Sequence, residues 1–141
     1  MQPYSFNGKC RSSVSWIAPF DLRSHLTWLR LGLALVWFLF GLIFKALDAL
    51  PRHRQIVVRV VGSARASAVL WAVALAEIGL GSWLLVGRAL PLCLTLQTLL
   101  IASMNVCELR YARDLLLTPV GMVCANLIFL SLGWYVALAS N

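Results

Sequence analysis

The chain has 141 residues and a formal net charge of +7, twelve Lys+Arg against five Asp+Glu, with 61% hydrophobic and 12% charged residues. Soluble domains run at roughly 45–50% apolar and about 25% charged, so these few charges cannot clothe a water-facing surface. An ordinary soluble enzyme is excluded, and the length leaves room for one compact membrane domain. The basic residues flank apolar runs instead of forming one soluble face, which argues against nucleic acid and for anchoring at anionic headgroups.

Residues 1–25 read as a polar, irregular tail. No apolar h-region precedes Trp28, so no cleavable signal peptide is expected. Trp16 and Phe20 suit the membrane interface, and Ser24 is placed to cap the helix that follows. The membrane domain then runs over 26–141. Its first span, roughly 26–50, is apolar or Gly at every position from Leu31 to Phe44 and is interrupted only by Lys45 and Asp48. It exceeds the ~20 residues needed to cross a bilayer. Pro51 ends it, because the residue before Pro disfavours helix. Gly32 and Gly41 are expected to be points of close helix approach.

The connection 51–64 is basic with an apolar centre. Ile56, Val57, Val60 and Val61 recur at helical spacing, which predicts a short amphipathic segment lying in the interface. Span two, roughly 65–86, carries Ala68, Ala72 and Ala76 at i, i+4, a small-residue stripe expected to pack against a neighbouring helix. Glu77 lies beside it. Span three, roughly 90–108, opens with Pro91 in its first turn and is the most polar, with Gln97, Thr98, Ser103 and Asn105. Span four, roughly 115–139, has Pro119 in its first turns and Asn126 near its middle. Short turns join spans two, three and four, which predicts antiparallel neighbours. The expected fold is all-α: an integral membrane four-helix bundle with an amphipathic connection between helices 1 and 2.

If the spans alternate, the side holding the 51–64 connection, side A, receives Arg52, Arg54, Arg59, Arg65, Arg110, Arg113 and the nearby Lys45. The opposite, far side receives Lys9, Arg11, Arg23, Arg30 and Arg88. Seven against five does not fix the orientation by the positive-inside rule.

Alternation also assigns depths. Counted from the span ends, Glu77, Gln97 and Asn126 each fall about 16–18 Å from side A, so three polar residues on three helices converge near mid-bilayer. These are the candidate ligand-binding or proton-handling residues. A shallower layer of Lys45, Asp48, Asn105, Glu108, Arg110 and Arg113 forms a candidate rim, with Asp114 beside it. Lys45 and Asp48, at i, i+3, read as an interfacial ion pair with a snorkelling lysine. An ionisable group at the bilayer centre costs about 2.5–3.5 kcal/mol on insertion scales, so Glu77 must face the bundle, find partners or take up a proton. Two readings stand: an interhelical hydrogen bond to Gln97 or Asn126, worth roughly 1 kcal/mol, or a ligand- or proton-handling role.

Other chemistry is thin. Cys10, Cys93, Cys107 and Cys124 form no Cys-x-x-Cys and no zinc spacing, and read as buried, unreactive thiols. His25 and His53 fall on opposite sides, which disfavours a bis-histidine haem. No phosphate loop, hydrolase triad or metal site is expected.

With four spans in view, the chain resembles the DoxX-like membrane proteins over roughly residues 28–138. The resemblance rests on Arg30-x-Gly32 followed by an apolar run to Gly41-x-x-x-Lys45. It rests also on Glu77-x-Gly79-x-Gly81 with Leu84-Leu85-x-Gly87, and on Asn126-Leu127. It implies a four-helix membrane bundle in a bacterial cell (inner) membrane. Some members are subunits of membrane-bound oxidoreductases, including thiosulfate:quinone oxidoreductase. The resemblance therefore implies a redox-enzyme partner, quinone as the cofactor class to consider, and Lys45 and Glu77 as sharing the functional environment. The basic connection 51–65 is closer to the shorter DoxX-like branch than to the thiosulfate-oxidising subunits. The leading expectation is an accessory subunit, not catalytic by itself, in contact with membrane lipid and with a quinone- or lipid-sized pocket around Glu77. A small proton-coupled transporter, for which a homo-oligomer would supply missing symmetry, and a purely structural module are the alternatives.

Overall fold

A computed structural model describes residues 22–46, 51–116 and 118–140 of the chain. The expectations on Trp16, Phe20, Cys10 and Asp48 fall outside the described residues, as does the side chain of Lys45. The described residues are helical throughout apart from short connections. α1 (Leu22–Phe38) continues into a π-helical segment (Leu39–Ala46), followed by α2 (Pro51–Val61), α3 (Ser63–Val86), α4 (Leu90–Tyr111), a single 3-10 turn (Arg113–Leu115) and α5 (Pro119–Ala139). Four of these, over 23–43, 63–86, 90–111 and 119–139, are long and apolar enough to cross a membrane. The fold is an all-helical membrane bundle.

Local chemistry sets the ends. Pro51, Pro91 and Pro119 each sit in a first helical turn, where the missing N–H costs least. α3 ends at Gly87, whose φ of +72° puts it in the left-handed region and lets its N–H reach the Trp83 carbonyl. Trp83 Nε1 then donates to the Arg88 carbonyl at 2.8 Å and staples the turn into α4. Ser24 lies inside α1 instead of capping it, because the helix already includes Leu22. α2 is the expected amphipathic segment: Ile56 is buried, while Arg54, Gln55 and Arg59 are exposed.

α1 is the hub. It packs on α3 and on α5, α4 packs chiefly on α5, and α2 lies against α3 and α4. The α3–α4 contact is slighter than their short turn predicts, because α3 spends its small-residue face on α1. That face is Ala66, Leu70, Ala74, Glu77, Gly81 and Leu84, all buried. Gly81 permits the approach: a Cβ there would lie 3.1 Å from Trp37 Cβ and 3.3 Å from the Ala34 carbonyl. The expected stripe Ala68, Ala72 and Ala76 is instead exposed, since both rows have i, i+4 spacing and the larger apolar partner face of α1 selects the other. Gly32 is likewise exposed with nothing near it, whereas Gly41 is a true close-approach point.

The packed core is not spread evenly along the bundle. Leu26, Leu33 and Ala34 of α1 meet Leu80 and Leu84 of α3, Leu90, Cys93 and Leu94 of α4, and Val136 and Ala137 of α5. All lie toward the far side. Trp37 closes this core from above, edge-on to Phe129 with ring centroids 5.7 Å apart.

Candidate functional site

Above the Trp37–Phe129 pair the helices part and border a half-open cavity of about 470 Å³. Trp37, Phe40 and Phe129 supply aromatic surface, and Ile101, Met104 and Met122 flexible apolar surface. The polar lining is Glu77 from α3, Asn105 and Glu108 from α4, Asn126 from α5 and His53 from α2. Every helix of the fold thus contributes, and α2 lies over the side-A end.

Glu77 holds the deepest polar position and is 3% exposed. The π-helical segment crosses directly over it. A Cβ on Gly41 would come within 2.9 Å of the Ala74 carbonyl and 3.1 Å of Glu77 Cβ, so glycine is what lets this widened turn lie against α3. π turns inside α-helices occur often at functional sites, and this one borders the cavity through Phe40. Lys45 belongs to the same segment.

The remaining candidates divide into two levels. Gln97, 1% exposed, is level with Glu77: each stands fourteen residues, about 21 Å, from the side-A end of its helix. Gln97 does not line the cavity. Its Nε2 donates to Cys93 Sγ at 3.2 Å, and that thiol makes a long contact to the Leu80 carbonyl at 3.8 Å, tying α4 to α3. Asn126 stands only seven residues from Pro119, about 10 Å deep, and donates from Nδ2 to Asn105 Oδ1 at 2.7 Å. The three residues therefore do not share one depth. α4 runs on to Tyr111 and α5 starts at Pro119, which sinks Gln97 and raises Asn126 relative to the sequence count.

Asn105 and Glu108, expected on the rim, line the cavity. Arg110 and Arg113 are exposed and do not, and the Arg110 guanidinium stands 5.9 Å from the centre of the Tyr111 ring. Asp114 is paired with Arg59 through two contacts of 3.2 and 3.3 Å, joining α2 to the α4–α5 connection. Among the thiols Cys93 is buried, but Cys107 is half-buried and Cys124 exposed. Among the described residues no group of three or more His, Cys, Asp or Glu is gathered as metal ligands.

The sequence reading missed His53, Trp37 and Phe129 as lining. A signal existed for the first: His53 shares one face of α2 with Ile56 and Val60 at i, i+3, i+7, and those two belong to the apolar face expected of the amphipathic segment. For Trp37 it was the row Ala34, Trp37, Gly41, which is the face α1 and its π-helical extension turn inward.

The model of the DoxX-like family matches residues 34–134. The chain belongs to the DoxX-like family. The matched stretch includes every residue that lines the cavity, from Val36 to Phe129, so the chamber lies wholly within the part of the chain that defines the family. Neither a curated protein nor a solved structure matches the chain.

Proposed function

We propose that this DoxX-like protein is an accessory membrane subunit that holds one quinone- or lipid-sized amphiphile in the side-A cavity and presents it to a redox partner. The single observation that carries this reading is the mixed lining of the chamber. Ligand sites of about 300–1,000 Å³ typically combine apolar walls with a few placed polar groups, and this one has that composition and size. A flat headgroup suits the aromatic surface that Trp37, Phe40 and Phe129 give to the cavity wall. Quinone carbonyls are acceptors, and the amide N–H groups of Asn105 and Asn126, with an imidazole N–H at His53 above them, supply donors. When bound, a quinone would supply the electron-carrying chemistry. The chain's own residues would position it, keep water from its ring and offer a carboxyl at Glu77. The partner half of the reading rests on the resemblance to subunits of membrane oxidoreductases.

Purification into lipid nanodiscs, titration with a short-chain ubiquinone analogue and readout by tryptophan fluorescence test this directly. Saturable binding at one site per chain, lost when Ala125→Trp fills the cavity, is the expected result. Mass spectrometry of the purified sample should find a co-purifying lipophile, and mild-detergent pull-down a membrane partner. A chain that runs alone, with no quinone or lipid bound and no saturable titration, sinks the proposal.

A further inference from the structure

We infer that Glu77 is a one-sided proton-exchange site: its carboxyl trades protons with water from side A through the cavity, and is sealed from the far side. The polar groups climb in steps from one end. Glu77 lies about 21 Å deep, Asn126 about 10 Å, Asn105 about 9 Å and Glu108 about 4 to 5 Å from the side-A helix ends, with His53 on α2 above them. Each level has hydrogen-bonding groups, and about 470 Å³ of space joins them, enough for several waters with polar partners. Among the described residues the far half is poorer: its part-buried polar pair, Thr98 Oγ1 accepting from Trp134 Nε1 at 3.2 Å, is already engaged, with the Thr98 hydroxyl donating to the Leu94 carbonyl. From Glu77 to the end of α3 at Val86 is nine residues, about 14 Å, and the interior along it is the apolar cluster of Leu33, Ala34, Leu80, Leu84, Leu94 and Val136. Among the described residues Glu77 and Gln97 are the buried polar ones, and Gln97 is committed to Cys93. A proton path through that half would find as hosts for its waters only groups already engaged, Gln97 with Cys93 and Thr98 with Trp134 and the Leu94 carbonyl.

The exchange is the carboxylic acid giving its proton to a cavity water, leaving carboxylate and hydronium, and the reverse. Among the described side chains, two ionisable groups line the cavity with Glu77: His53 of α2 and Glu108 of α4. Arg54 and Arg59 of α2 and Arg65 of α3 are exposed toward side A, Arg59 in its pair with Asp114. α5 carries no Asp, Glu, Lys, Arg or His, and Arg23, His25 and Arg30 of α1 stand toward the far end. The ionisable surroundings of Glu77 are therefore also one-sided.

The inference shares the cavity with the ligand reading but needs no ligand. It is tested on the ligand-free full chain, incorporated in one orientation in phosphatidylethanolamine–phosphatidylglycerol vesicles and followed by infrared spectroscopy with isotope-labelled glutamate. The Glu77 carboxyl band is assigned by its loss in Glu77→Gln. Glu77→Asp, which keeps a carboxyl with a shifted band, covers the case in which the glutamine variant fails to fold. A pH step on side A should change the band within the mixing time, and the same step on the far side should act about 100-fold more slowly. Equal response to both sides, response to the far side alone, or no response to either overturns the inference. One-sided titration without quinone binding removes the ligand reading and keeps the port; quinone binding without one-sided titration does the reverse.

Discussion

The two halves of this bundle are built from the same four helices and differ in what fills them. On the far side of the Trp37–Phe129 pair, leucine, alanine and valine from all four helices meet around Cys93 in one buried cluster. On side A the same helices diverge around aromatic, amide and carboxyl groups. Within lipid, helices gain nothing from removing apolar surface from water, so the closed half is held by contact density and a few hydrogen bonds. The comparison teaches that the far half is the clamp, and that it frees the side-A half from having to be well packed.

That division is best broken by matched truncations. Leu94→Ala in the closed half should cost about 2–4 kcal/mol, read as reduced resistance to unfolding in a denaturing detergent titration. Met104→Ala in the hollow half should cost less than about 1 kcal/mol, because that side chain already has few partners on one side. Comparable losses would mean that the two halves are packed alike. Gly41→Val probes the boundary: overpacking against Ala74 and Glu77 should cost about 1–3 kcal/mol and weaken ligand binding by moving Phe40. Asn126→Leu removes the α4–α5 amide bond, worth about 0.6 kcal/mol in membrane bundles, yet should lower quinone-analogue affinity about tenfold. A stability loss without an affinity loss would make the pair purely structural. The smallest effect is Asp114→Asn. Its partner Arg59 is half exposed, so thermal stability should change by less than about 1 kcal/mol, and by less still at high salt.

The spans were legible because apolar runs of about 20 residues have few alternatives in a chain this short of charge. The amphipathic α2 was legible from Ile56, Val57, Val60 and Val61 for the same periodic reason. The depth of the polar residues was not, although each was singled out. A helix end misjudged by three or four residues moves everything on it by about 5–6 Å, and α4 and α5 erred in opposite senses. A start at Leu115 sets Pro119 one turn into the helix, whereas proline fits best at the first helical position, where the structure has it. The face of α3 was a choice between two alanine rows. Only the partner decides: Trp37 and Ala34 of α1 lie against Gly81, and Ala72 is left exposed. The π-helical segment left no trace in composition, because Leu-Phe-Gly-Leu-Ile-Phe is equally at home in an α-helix.

The turn at Gly87 has an electrical side. A methyl group there would collide with the Arg30 guanidinium, which lies against the C-terminal end of α3 within the far half. A full positive charge over a helix end worth about −0.5 leaves the site net positive. Fixed arginines exclude cations from some water pores, and a cation approaching from the far side is expected to be repelled before it reaches the apolar core. Replacing Arg30 with a neutral residue of similar length would leave only the packing to keep that entrance closed.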